Sequence, residues 1–174
     1  MAGENVVPEL LAEVSTLGHA PRVVGVYRRA DLPSGRRDVV LALWRVADPG
    51  NVGTLFRTAD AFGAGVALSP GCADPLGPRA LRASAGAVFR VPLSGWDDLP
   101  ERKVALVAHG GEHLASVDLA PPVALLLGSE RKGIPDELVT MSHKATIELP
   151  GEAESLNVAA AAAIALYELS RRAS

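Results

Sequence analysis

Three short segments of this 174-residue sequence carry side chains whose types and spacing could do chemistry. The first is Asp48-Pro-Gly-Asn-Val-Gly-Thr-Leu-Phe-Arg-Thr-Ala-Asp-Ala-Phe-Gly63. Pro49-Gly50 makes a turn, Asn51 is well placed to cap a helix, and Gly63 stops it. Val52, Leu55, Phe56, Ala59 and Phe62 share one face at helical spacing, so Arg57 falls nearly opposite, facing a cleft or water. By spacing alone, an ordinary solvated arginine is the plainer reading.

The second segment, Gly128-Ser-Glu-Arg-Lys-Gly133, follows an apolar run and holds one acid and two bases. Loops at the carboxyl ends of parallel strands are where α/β proteins bind ligands. Gly128 would let a ligand approach the backbone closely. The segment lacks the Gly-Lys-Ser/Thr ending of a phosphate loop, and a strand-to-helix connection with solvated charges fits equally well. The third segment is Ile147-Glu-Leu-Pro-Gly-Glu-Ala-Glu-Ser-Leu-Asn-Val158. Ser155 is a plausible N-cap, with Glu152 and Glu154 at the positive end of the helix dipole. Asn157 needs hydrogen-bond partners if it is buried, and a purely structural cap is the alternative.

Other chemistries find less support. A dinucleotide fold needs Gly-x-Gly-x-x-Gly after its first strand, whereas Gly63-Ala-Gly65 precedes a strand and lacks the third glycine. His109 and His113 have a spacing that two metal ligands use on a helix, but Gly110-Gly111 between them breaks any helix, so no metal is expected. No serine sits in a nucleophile elbow. The single cysteine, Cys72, excludes an internal disulfide framework and fits a reducing cytosol.

The elements that must position these residues follow from pattern. Strands are expected at residues 22–27, 39–44, 65–68, 89–93, 104–108, 123–127 and 146–149. Helices are expected at 8–17, 51–62, 76–85, 135–141 and 155–171. The runs at 39–44 and 123–127 are continuously apolar, as in strands covered on both faces. Strand and helix alternate, so the expected fold is α/β, a mostly parallel sheet flanked by helices. Residues 1–36 read as a leftover of another unit or a linker, and 37–174 as the main domain. The last helix is apolar nearly all round and must be buried on more than one side, one of which could belong to a partner subunit. The net charge of −3 means that any nucleic-acid contact must use a local patch. No stretch approaches the roughly 18 apolar residues of a membrane span, and the first residues carry charges where a signal peptide needs an apolar run. The reading is of a soluble, cytoplasmic protein.

Taken together, in this order and spacing, the three segments resemble the signature motifs of the SpoU/TrmH family of RNA methyltransferases. The matching pieces are Asn51–Gly63, Gly128–Gly133 and Ser155-Leu-Asn-Val158 after Ile147, within a resemblance that runs from about Val39 to Glu168. The resemblance implies a fold whose C-terminal part threads into a deep trefoil knot. It implies an enzyme that transfers methyl from S-adenosylmethionine to a ribose 2′-hydroxyl of rRNA or tRNA. Leu127, Gly128, Ile147, Leu149 and Leu156 would contact the donor. Arg57 is the key catalytic residue in family terms, with Asn51, Glu130, Ser155 and Asn157 around it. Arginine holds its proton tightly, so Arg57 is read as gripping the nucleotide phosphate and orienting the hydroxyl, with Glu130 holding it by a charge-assisted contact. The resemblance further implies a homodimer through the knot and last helix. The alternative is a non-catalytic RNA-binding or dimerisation module that keeps the fold. Many family members carry a full N-terminal RNA-selecting domain, and Asn5–Tyr27 looks like only its last helix and strand. Arg131 stands where relatives often have glycine.

Overall fold

The computed structural model describes residues 7–14 and 24–172. The chain divides into two compact units, Met1–Asp31 and Leu32–Ser174. The first unit contains helix α1 (Pro8–Val14) and a 3-10 turn at Arg29–Asp31. The expected extension of α1 to residue 17 lies outside the described residues. The strand expected at 22–27 is not formed over residues 24–27, where Val26 is 93% exposed, and residues 22 and 23 are outside the described set.

The second unit is a parallel α/β sheet. Its strands are β1 (Val39–Leu43), β2 (Gly65–Leu68), β3 (Leu93–Ser94), β4 (Lys103–Leu106), β5 (Glu112–His113), β6 (Val123–Leu127) and β7 (His143–Thr146). They line up in the order β3-β2-β1-β6-β4-β7-β5, with every pairing parallel. Helices α2 (Pro49–Phe62), α3 (Pro78–Ser84), α4 (Asp136–Thr140) and α5 (Val158–Arg172) complete it. β1 and β6 are central, in register from Val39 with Val123 to Leu43 with Leu127. Their continuous apolar character follows from that position. Leu41, Leu43, Leu125 and Leu127 join the larger core with α2 and α5 residues such as Leu55, Phe56, Ala162 and Leu166. Ala42 and Leu126, on the other face, join Ala105 and Ile134 with Leu138 and Val139 against them.

Three expectations are corrected. The strand expected at 89–93 is not formed before Leu93: Phe89 ends a 3-10 turn, Ala87–Phe89, entered through Gly86 at φ 82°, and residues 90–92 are turn and irregular backbone. Phe89 and Val91 donate backwards, to Gly86 and Ala87, and only Leu93–Ser94 is left to pair. The strand at 146–149 lies earlier, at His143–Thr146, because β4 pairs with that polar stretch from Val104 with His143 to Leu106 with Ala145. The last helix begins at Val158 rather than Ser155.

Helix ends follow local chemistry. Asp48, not Asn51, caps α2 by accepting from the Asn51 N–H at 2.9 Å, while Gly63 closes it in the left-handed region at φ 68°. α3 crosses α2 closely at Gly53, where a Cβ would press on Ala80 O, 2.7 Å from Ala83 Cβ and 2.9 Å from Ser84 N. The end of α5 is clamped by Arg172, which donates to the carbonyls of Leu114 and Val117 and, with Arg171, to Glu168. Those hydrogen bonds, Arg171's first, hold the Glu168 carboxyl below its ordinary range. No described helix is long and apolar enough to cross a membrane.

Candidate active site

The carboxyl ends of β4 and β6 and the segment after β7 enclose a pocket of about 510 Å³. Leu106–Ala108, Leu127–Glu130, Gly133, Ile147, Leu149, Ser155–Val158 and Ala161 line it. All five residues expected to contact a donor stand here, namely Leu127, Gly128, Ile147, Leu149 and Leu156. The apolar Ile147-x-Leu149 pattern that resembles a strand is thus a pocket wall.

Gly128 is required by the fold of the chain itself. A Cβ on it would overlap the backbone of Gly133 and Ile134. The loop from Gly128 to Gly133 folds back tightly, with Ser129 N donating to Gly133 O at 3.2 Å and Gly133 N to Ser129 O at 2.9 Å. Gly133 makes the turn at φ 65°. Glu130, Arg131 and Lys132 are exposed on this loop.

A directed hydrogen-bond chain joins the three segments. Asn157 Oδ1 accepts from Ala159 N at 2.9 Å and so caps α5. Since that oxygen must face the helix N–H groups, the Nδ2 of Asn157 points outward and donates to Asn51 Oδ1 at 3.0 Å. Asn51 is thereby oriented, and its Nδ2 donates to Glu130 Oε1 at 2.8 Å. Asn51 is free for this because Asp48 does the capping of α2. Ser155, expected as the cap, is an exposed lining residue instead.

Arg57 is exposed on α2 and is not among the lining residues. Its guanidinium makes no hydrogen bond or ion pair among the described residues. The expected contact with Glu130 is not formed; Glu130 Oε1 accepts from Asn51 Nδ2 instead. Sequence reasoning missed Leu106, Val107 and Ala108, since nothing local shows that β4 ends beside β6. His113 lies in edge strand β5 and pairs with Glu148 at 3.2 Å. Among the described residues no group of three or more His, Cys, Asp or Glu side chains could hold a metal ion.

A profile described as the SpoU rRNA Methylase family matches residues 38–167, most of the chain and all of this pocket. The chain belongs to that family. Among SpoU relatives, the 23S rRNA (uridine(2479)-2′-O)-methyltransferase of Streptomyces viridochromogenes is 34% identical over 95% of this chain and 66% of its own length. The solved AdoMet-bound rRNA methyltransferase of Sinorhizobium meliloti is 36% identical, with a TM-score of 0.72 over 82% of this chain and 59% of that one. A third relative, from a structure described as giving insight into 2-OH methylation of C/U34 on tRNA, is 30% identical with a TM-score of 0.72. It is covered over 95% of its length by 78% of this chain. The chain spans 65%, 66% and 57% of the curated relatives from Synechocystis, S. viridochromogenes and Bacillus subtilis.

Proposed function

We propose that this chain is a cytoplasmic RNA methyltransferase that transfers methyl from S-adenosylmethionine to a ribose 2′-hydroxyl of rRNA or tRNA. The observation that carries the reading is the pocket: the second and third SpoU motifs, far apart in sequence, line one cavity, and the first is tied to its rim by the Asn157–Asn51–Glu130 chain. Its volume and its balance of apolar walls with a few polar groups suit a small nucleoside cofactor. Leu106, Ile147, Leu149 and Leu156 offer apolar surface for a base, beside Leu127 and Gly128 in the same lining. The chemistry that S-adenosylmethionine supplies when bound is an electrophilic methyl on a positively charged sulfur.

The chain's own residues do the rest. The apolar walls exclude water, which favours a step in which positive charge disappears. Asn157 and Asn51 fix Glu130 at the rim of the pocket. Arg57 grips the phosphate of the target nucleotide and orients its 2′-hydroxyl, as its fork geometry allows and its high basicity requires.

Three finer features belong to the same proposal. β7 lies beyond β4 from β6, yet the helix that follows it packs on α2 and β6. The stretch 147–157 must therefore return across the ends of β4 and β6 past the 128–133 loop, which supports a threaded trefoil knot. Ala160, Ile164 and Tyr167 form an exposed stripe on α5, with Ile164 40% and Tyr167 60% exposed, and support a homodimer through that helix. Residues 1–36 are taken as part of a substrate-recognition element or a linker, and 37–174 as the methyltransferase domain.

The test is incubation with labelled S-adenosylmethionine and total RNA from a methylation-deficient strain, then digestion to nucleosides. Label in 2′-O-methylated nucleosides is expected. Label confined to bases, or donor binding without any transfer, overturns the reading, the latter in favour of a non-catalytic module. Arg57→Ala is expected to abolish transfer and leave calorimetric donor binding intact; loss of donor binding contradicts the phosphate-gripping role.

A further inference from the structure

Arg45 is the residue in the second unit whose backbone is hardest to explain by folding alone. It lies at φ 51°, in the left-handed region that side chains other than glycine rarely adopt. Ala85 shares that conformation, but Ala85 closes α3 and is followed by Gly86, an ordinary helix ending. Arg45 terminates no helix. It stands between β1 and α2, two residues past Leu43, whose register partner Leu127 enters the pocket loop.

The surroundings enforce this conformation. Trp44 N donates to Leu127 O at 2.8 Å on one side. On the other side, Arg45 N donates to Oγ of buried Ser69 at 2.9 Å. The loop after β2 is stitched alongside by Ser69 N to Leu43 O at 3.0 Å, Cys72 Sγ to Leu43 O at 3.2 Å and Ala73 N to Val46 O at 2.9 Å. The Arg45 side chain then lies along Gly71, where a Cβ would come 3.1 Å from Nε and 3.5 Å from Cγ. A long, exposed cation is thus held flat on a glycine, with no hydrogen bond or ion pair to its guanidinium among the described residues. Arg79, Arg90, Arg102, Arg171 and Arg172 are by contrast each tied to an acid.

We infer that Arg45 is a phosphate-binding residue on the RNA path, holding a phosphodiester next to the nucleotide whose ribose enters the pocket. The inference rests on the reading of the chain as an RNA methyltransferase. Strained non-glycine residues that the fold over-determines gather at ligand contacts. The carboxyl edge of a parallel sheet is where the ligand arrives. A chain of net charge −3 must draw RNA with local, unpaired cations. Arg45 leans toward the β2 loop, while the pocket opens among β4, β6 and the segment after β7, so the phosphate it holds belongs to a flanking nucleotide.

Arg45→Gly gives the decisive measurement, because it relieves the strained backbone while removing the cation. Binding is read by anisotropy of a short fluorescein-labelled single-stranded RNA of mixed sequence over a series of KCl concentrations. Melting temperature and calorimetric titration of S-adenosylmethionine are read alongside. Arg45→Gly is expected to melt no lower than wild type and bind the donor unchanged. It should bind RNA roughly ten-fold more weakly, the effect of removing one charge-assisted hydrogen-bonding group. The slope of log affinity against log salt should become shallower by about 0.7, as for one phosphate of a single strand. Arg45→Lys should recover the slope, and Arg102→Ala, at the opposite edge of the sheet, should change neither quantity. Wild-type RNA affinity and salt slope in Arg45→Gly overturn the inference, whatever its stability. Wild-type protein that binds RNA without transferring methyl removes the proposed activity yet leaves the Arg45 result standing. Wild-type protein that binds no RNA removes both.

Discussion

Asn157 uses both ends of one amide, its oxygen for the first N–H groups of α5 and its nitrogen for Asn51. The two uses can be separated by substitution. Asn157→Ala removes the cap and should cost about 1 kcal/mol of stability in urea unfolding. Asn157→Asp keeps an acceptor at the positive end of the helix and should unfold at close to wild-type urea concentration. It cannot donate to Asn51, however, and brings a second carboxylate toward Glu130. Methyl transfer by Asn157→Asp should therefore fall by about ten-fold or more, or about 1.4 kcal/mol in the barrier. Full activity in that variant would show that the asparagine chain is structural. Gly128 gives a second prediction at this scale. Alanine there must push the backbone of Gly133 and Ile134 aside, at a cost of about 1–3 kcal/mol, and deform the pocket wall. Donor binding by calorimetry should be lost in Gly128→Ala while circular dichroism still reports the fold. The residue types at these positions were readable from sequence, but their division of labour was not. Asp48 and Asn51, or Ser155 and Asn157, rank almost equally as caps, and only the path of the chain decides which one turns toward the helix.

At the scale of elements, the central strands announced themselves because both their faces are covered, and α2 did so through its apolar spacing and Gly63. β7 did not. Its sequence, His-Lys-Ala-Thr, buries only Ala145 fully, whereas the more strand-like Ile147-Glu-Leu149 serves the pocket. Apolar alternation reports a surface that must leave water, and it cannot say whether a core or a ligand covers that surface. The α2–α3 crossing sets propensity against packing. Gly53→Ala should gain about 1 kcal/mol from helix propensity. Against this stands a methyl group forced onto the Ala80 carbonyl, Ala83 and Ser84 of another helix, which cannot move aside as a flexible side-chain tip could. Overpacking at about 1–3 kcal/mol wins, so Gly53→Ala should lower stability in urea unfolding. A gain would show that the two helices can separate at little cost.

At the scale of the whole molecule, the strand order β3-β2-β1-β6-β4-β7-β5 lay beyond local pattern, because each parallel pairing joins segments far apart in sequence and any one strand accepts several neighbours. The place of Arg57 poses the same kind of question beyond a single chain. It is exposed on α2, outside its own pocket lining, and α2 packs beside α5, the helix proposed to pair with a second copy. Tyr167→Glu on the exposed stripe of α5 should turn a dimer into a monomer in sedimentation, with helix content kept. Such a monomer should lose transfer if Arg57 serves the partner's pocket. Coexpression of Arg57→Ala with Asn157→Asp decides the matter directly. Random pairing makes about half of the dimers mixed, and in a mixed dimer one of two pockets meets an intact arginine if Arg57 crosses the interface. The mixture should then show about a quarter of wild-type transfer, although Arg57→Ala alone shows almost none and Asn157→Asp alone at most about a tenth. No recovery in the mixture assigns Arg57 to the pocket of its own chain, reached when RNA binds.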